Sequence, residues 1–218
     1  MSVAEVLALA GAGLAAGTIN TVVGSGSLVT FPTLLALGYP PLLANVTNNV
    51  GVLPGSFTGL AVSGAELRGQ RSRLLRLATG SVGGSVLGAV LLLRLPPGVF
   101  DAVVPALILL ACLLVVAQPR ITAALGRRER SPRRSAAVLW GAVALTGVYG
   151  GYFGAAQGVI LIAILGVLVD DTLPRLNAAK NALAGLANLA AATVFALVTD
   201  VAWSAALTLA LGAAVGGL

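Results

Sequence analysis

The chain repeats itself. An apolar segment broken by glycines, GTINTVVGSGSLVTFPTLLALG from Gly17 to Gly38, returns as GVYGGYFGAAQGVILIAILG from Gly147 to Gly166. The helix expected after each copy carries one polar pattern twice: Asn45, Asn49 and Ser56 in the first, Asn177, Asn181 and Asn188 in the second. Residues spaced i, i+4 and i+11 lie along one side of an α-helix, so each trio reads as a polar stripe. Broken apolar segments at corresponding places in two halves of a chain point to the substrate site of a transporter.

Composition sets the solvent. A chain of 218 residues that is 58% hydrophobic and 9% charged, with a mean hydropathy of +1.00, has more apolar surface than one soluble core can hide. Its apolar stretches recur from end to end, separated by short polar turns, which predicts an all-α polytopic membrane protein. The N-terminus has no basic region ahead of its apolar run, so it reads as a retained membrane segment rather than a signal peptide. There is no histidine and a single cysteine, Cys112, among leucines and valines. Zinc sites built on His and Cys, haem ligation by His and a Ser-His protease are thereby excluded, although GSGS at 24–27 looks superficially like a serine-protease loop. No cofactor, no metal and no catalytic residue is expected.

The formal charge of +6 is carried by arginines in two loops and reads as a topology signal rather than a nucleic-acid surface. Arg68, Arg71, Arg73 and Arg76 form the first cluster; Arg120, Arg127, Arg128, Arg130, Arg133 and Arg134 form the second. The predicted organisation is a first transmembrane repeat at 1–118, a basic cytoplasmic linker at 119–135 and a second repeat at 136–218. Within these, a broken segment at 2–38 is followed by helices at 43–64, 74–94 and 99–118, and a second broken segment at 136–168 by helices at 175–198 and 201–218. GSVGG at 80–84 resembles the terminal AVGGL, so the second half is expected to stop inside the counterpart of the 74–94 helix, a helix and a half short.

The arginine loops flank one helical hairpin and so share a side, the cytoplasm by the positive-inside rule. The counterpart of the first loop, Thr199-Asp200, carries no arginine or lysine, which an inverted pair of repeats explains by placing it outside. Inversion requires each broken segment to enter and leave on one side. A run of about 35 residues, at about 1.5 Å per residue, is too long for one perpendicular crossing of a ~30 Å hydrocarbon core, but suits two legs of a re-entrant pair. Eight simple crossings in two parallel halves remain the alternative.

All seven asparagines lie in the broken segments or the helices that follow them. An unpaired amide in hydrocarbon costs several kcal/mol, so these side chains are either interhelical glue or the lining of an aqueous path. The duplication favours the path. The substrate-binding set predicted from the stripes is Asn45, Asn49, Asn177, Asn181 and Lys180, with Gly24, Ser25, Gly26, Gly154 and Gln157 at the tips of the breaks. Glycines there let backbone N–H groups converge on a ligand, and half-helices starting there aim positive ends inward. Lys180 is the only lysine and a point charge for an anion, with snorkelling to the interface as its other reading. No Asp or Glu falls in the middle of an apolar segment, which argues against carboxylate cation sites and turns the expected substrate towards an anion.

Through GTINTVVGSGSLVTFPTLLALGYPPLLANVTNN, LGAVLLLRLPP at 87–97, GVYGGYFGAAQGVILIAILG and LNAAKN, in chain order, the chain resembles the sulfite exporter TauE/SafE family of membrane permeases along essentially its whole length. The resemblance implies a permease that moves sulfite or a small organosulfur anion across the bacterial inner membrane. The expected function is therefore a secondary transporter, not an enzyme, passing a small anion by alternating access. The alternatives are a passive anion channel and a non-transporting membrane scaffold. Expected partners are the small anionic substrate and the lipid bilayer, with no nucleic acid and with a homodimer allowed.

Overall fold

A computed structural model describes residues 1–126 and 136–218, except for the side chains of residues 97, 122 and 124–126. The helices are α1 (Val3–Val22), α2 (Ser27–Ala36), α3 (Pro41–Val62), α4 (Arg71–Arg94), α5 (Pro97–Gly126), α6 (Ala136–Tyr152), α7 (Gln157–Leu168), α8 (Leu173–Val198) and α9 (Trp203–Gly216), with a 3-10 turn at Gly64–Leu67. No strand occurs among the described residues, as expected of an all-α membrane protein. The expected linker overlaps the end of α5, and its residues 127–135, with Arg127, Arg128, Arg130, Arg133 and Arg134, lie outside the described residues.

The helix ends follow local chemistry. Ser2 and Glu5 form a capping box at α1, the Ser2 hydroxyl accepting from the Glu5 N–H at 3.2 Å and the Glu5 carboxylate from the Ser2 N–H at 3.0 Å. Gly38 ends α2 at φ +88°, with the Tyr39 N–H donating to the Leu34 carbonyl at 3.1 Å, and Pro41 opens α3, where its missing N–H costs nothing.

Among the described residues, four helices are long and apolar enough to cross a membrane: Val3–Val22, Arg71–Arg94, Gly98–Ile121 and Leu173–Val198. The 22-residue α3 is not among them, because it carries Asn45, Asn48 and Asn49, all buried in the protein. By contrast, α5 is largely exposed along Leu109, Leu110, Leu113 and Val116, with Cys112 exposed on the same helix, which marks its lipid-facing side.

Small residues set the packing. A Cβ on Gly13 or Gly17 would run into the α9 backbone at Leu209 and Ala213, and one on Gly84 or Gly88 into the α6 backbone at Ala144 and Val148. Both pairs of helices are parallel and approach to backbone contact, the packing that glycine permits between membrane helices. Ser81 and Ser85 on α4 donate to the Leu183 and Ala187 carbonyls of α8 at 2.9 and 2.6 Å, and Gly51 and Gly55 of α3 lie against Ala206, Leu209 and Ala213 of α9. Thus α1, α3 and α9 run one way as one group, and α4, α6 and α8 run together as a second.

The two groups are antiparallel. Asn181 of α8 reaches Ser63 just beyond α3, at 3.5 Å, and Gly185 faces Ser56. At the other end the Ala202 N–H donates to Thr47 at 3.1 Å. Each group draws a helix from the other end of the chain, α9 joining α1 and α3, and α4 joining α6 and α8.

Backbone contact at Gly88 and open space at Gly83 give opposite expectations for one substitution. Gly88→Ala lowers the thermal midpoint of detergent-solubilised protein or prevents its recovery, whereas Gly83→Ala leaves it unchanged or raises it, by up to about 1 kcal/mol of helix propensity.

Candidate functional site

Both breaks are built alike. The Ile19 carbonyl accepts from the Val23 and Gly24 N–H groups at 2.7 and 3.0 Å, and the Tyr149 carbonyl accepts from Phe153 and Gly154 at 2.9 and 3.1 Å. Gly24 then turns at φ +85° and Gly154 at φ +78°, a left-handed conformation that glycine adopts without a Cβ penalty. After Gly24 the chain doubles back, so that Gly26 lies on the Ala16 backbone. Asn20 fixes that turn, its Oδ1 accepting from the Gly26 N–H at 2.9 Å. The second turn is held by the Tyr149 hydroxyl, which donates to the Ala155 carbonyl at 2.6 Å, and Ala156 sits at φ +60°, a conformation costing an alanine on the order of 1 kcal/mol.

The two breaks meet. The Gly158 N–H donates to the Gly24 carbonyl at 3.1 Å, and a Cβ on either glycine would collide with the other. Beside this contact lies a narrow cleft of about 30 Å³, room for roughly two water molecules. Ser27 and Gln157, the first residues of α2 and α7, both line it, so two helix N-termini with their partial positive charge flank the cleft. Ser56 comes from α3, and Lys180, Asn181 and Asn188 from α8. No acidic side chain lines it among the described residues. Lys180 is 1% exposed, and its Nζ, like the Gln157 Nε2, has no hydrogen-bond partner among the described residues.

Of the residues expected in the site, Gly24, Gly154, Gln157, Lys180 and Asn181 line this cleft together. Asn177 lines a second cavity, shared with Lys180. Ser25 and Gly26 are buried in the first turn without facing the cleft. Asn45 donates to the Tyr152 carbonyl at 3.0 Å, and Asn49 is buried with its Oδ1 unpartnered among the described residues. The two stripes part because α3 and α8 are antiparallel. Ser56 and Asn188, their last members, come together at the crossing, while the first members point to opposite ends. Asn20 and Thr21 also line the cleft; an amide just before a glycine break was a readable signal for the first, and nothing in the sequence distinguished the second.

At the α8 end of the cleft the arginine-rich loop is clamped. Asp171 takes Arg73 and Arg175 at 2.7 Å each, Arg175 donates to the Arg68 carbonyl at 3.1 Å, and Gln70 donates to the Arg175 carbonyl at 3.3 Å and also pairs with Arg73. Burial raises the Asp171 carboxyl, but hydrogen bonds from Arg73, the Thr172 N–H and Arg175 outweigh it and hold the group below the ordinary carboxylate range.

A bundle of apolar helices around a polar cleft where two broken segments meet is consistent with a membrane transporter. The chain belongs to the sulfite exporter TauE/SafE family, whose family model matches residues 9–218. It is 29% identical over 210 residues to a probable membrane transporter protein of Haemophilus influenzae, an overlap of 94% of this chain and 79% of that one. It is 30% identical over 203 residues to the probable membrane transporter protein ORF9 of a Sinorhizobium species, covering 92% and 76%. With the probable membrane transporter protein YfcA of Escherichia coli K12 it shares 26% identity over 204 residues, covering 92% and 74%. No solved structure matches the chain.

Because the Asp171 carboxyl is lowered in the folded protein, its contribution to stability is complete above the ordinary aspartate value of about 3.9 and is lost as the pH falls through the lowered value. Asp171→Asn is expected to reduce thermal stability at neutral pH and to shrink the loss of stability on acidification, read from melting curves across that range. An unchanged acid limb would show that the clamp contributes nothing.

Proposed function

We propose that this membrane transporter carries a small oxyanion, sulfite or a short organosulfonate, across the bacterial inner membrane by alternating access around the cleft between its two breaks. One observation carries the reading: Lys180 is buried in that cleft with its Nζ unpartnered and with no acid beside it among the described residues. An ammonium held in a low-dielectric interior without a counter-charge is unfavourable by several kcal/mol, and an arriving anion removes that cost. Around it Asn181, Asn188 and Gln157 can donate from amides, Ser27 and Ser56 from hydroxyls, and α2 and α7 offer their N-terminal ends. The set has the charge and donors of an oxyanion site, and the family's description as sulfite exporters favours sulfur as its centre.

Antiparallel α3 and α8, and the exchange of α4 and α9 between the two helix groups, support two inverted repeats. On that reading the positive-inside rule assigns Arg68–Arg76 to the cytoplasm and the Thr199-Asp200 turn to the outside. Beside the second break, Phe31 packs edge-on to Phe153 with ring centroids 5.3 Å apart, and Phe100 packs on Tyr152 at 5.8 Å. A cleft of about 30 Å³, narrowed to a few waters, favours a carrier over an open channel. Rocking of the α1, α3, α9 group against the α4, α6, α8 group about the Gly24–Gly158 contact would change the side exposed.

Counterflow of labelled sulfite in proteoliposomes tests this. Trans-stimulated uptake is expected, reduced about ten-fold or more in Lys180→Gln and Asn181→Ala, the scale of a lost hydrogen bond to a charged group. Wild-type exchange in well-folded Lys180→Gln protein, or sulfite conductance without counterflow, would contradict the proposal.

A further inference from the structure

Lys180 belongs to two cavities. Besides the cleft at the breaks it lines a larger space of about 370 Å³ at the arginine-rich end of α8, within the range of small-molecule sites. The walls of this second cavity are of two kinds. Val22 and Val23, at the end of α1, and Ile162 of α7 present aliphatic surface, continued by Leu173 and Pro174 in the first turn of α8. Gln118 of α5 and Asn177 of α8 add amides, and Lys180 supplies the only charge among the described residues. Asn177 lies one turn before Lys180 on α8, so amide and ammonium stand on one side of the helix.

The larger cavity is therefore an apolar pocket with a cationic end, and that end is the residue facing the inner cleft. We infer that it is a second binding position on the same route, selective for a small oxyanion on an apolar stem of a few carbons. The oxyanion pairs with Lys180, Asn177 and Gln118 while the stem lies against Val22, Val23 and Ile162. Lys180 would then pass the headgroup from this vestibule to the cleft without the anion losing its counter-charge. A fully polar oxyanion gains nothing from the aliphatic walls, so the vestibule favours stemmed anions over inorganic ones. The inference rests on the proposed role of Lys180 and adds a substrate class and a place of entry. An anionic lipid headgroup shares the chemistry of an oxyanion on an apolar stem, and the test separates the two sources.

The test is equilibrium binding of alkanesulfonates, from methane- to hexanesulfonate, to the full chain in phosphatidylcholine nanodiscs, with empty nanodiscs subtracted and the series repeated after adding phosphatidylglycerol. Affinity is expected to rise about three-fold per added methylene, somewhat less than full burial of each would give, until the stem outgrows the pocket. Val22→Ser combined with Val23→Ser should flatten that slope, Gln118→Leu should weaken the short members most, and Lys180→Gln should weaken the whole series. A flat series, a slope untouched by the valine substitutions, or displacement of the series by phosphatidylglycerol would each overturn the inference, the last assigning the pocket to lipid. Sulfite counterflow in the same protein keeps the two proposals apart. Counterflow with a flat series removes the vestibule alone, and a chain-length slope without counterflow removes the transport reading alone.

Discussion

The contact between Gly24 and Gly158 is the constraint on which the rest depends. Each glycine lies where a Cβ of the other would fall, and one hydrogen bond of 3.1 Å joins them. A side chain at either position would force the two breaks apart and with them the N-terminal ends of α2 and α7. Because irregular backbone is tolerated at membrane depth only when it is buried in protein or faces water, the surrounding helices must enclose this contact. The parallel glycine-lined pairs α1 with α9 and α4 with α6 do so by approaching to backbone distance, and they bring α3 and α8 across the breaks from opposite directions.

The enclosure creates an electrostatic problem that bears on function. Lys180 is held almost wholly out of solvent, and its Nζ has no partner among the described residues. At the start of α8, by contrast, Asp171 takes both Arg73 and Arg175. On the proposed reading, the buried Lys180 charge is open for a ligand of opposite sign. The narrow cleft and the larger cavity both reach Lys180, and in the proposal they are two positions for that ligand.

Much of this architecture was legible in the residues. The breaks were readable because glycine clusters inside apolar runs have few other causes, and the helices at 74–94 and 175–198 announced themselves by length and apolarity. What the stripes could not reveal was their destination. Asn45, Asn49, Asn177 and Asn181 match in spacing, yet matched spacing along two helices says nothing of how those helices cross. Because α3 and α8 are antiparallel, Ser56 converges with Asn181 and Asn188 at the cleft, Asn45 holds the Tyr152 carbonyl, and Asn177 faces the larger cavity. Gly26 and Ser25 went to building the turn rather than lining it, since the Gly26 N–H is needed by Asn20. Thr21 lines the cleft through its place beside the break, which no residue pattern encodes.

The most direct measurement is anomalous scattering from crystals of the chain soaked in selenite, a heavier analogue of sulfite. A selenium peak within hydrogen-bond reach of the Lys180 Nζ and the Asn181 amide, absent from Lys180→Gln crystals, is the predicted result. A peak confined to the arginine-rich loop, with the cleft empty in protein that exchanges sulfite, would contradict the account.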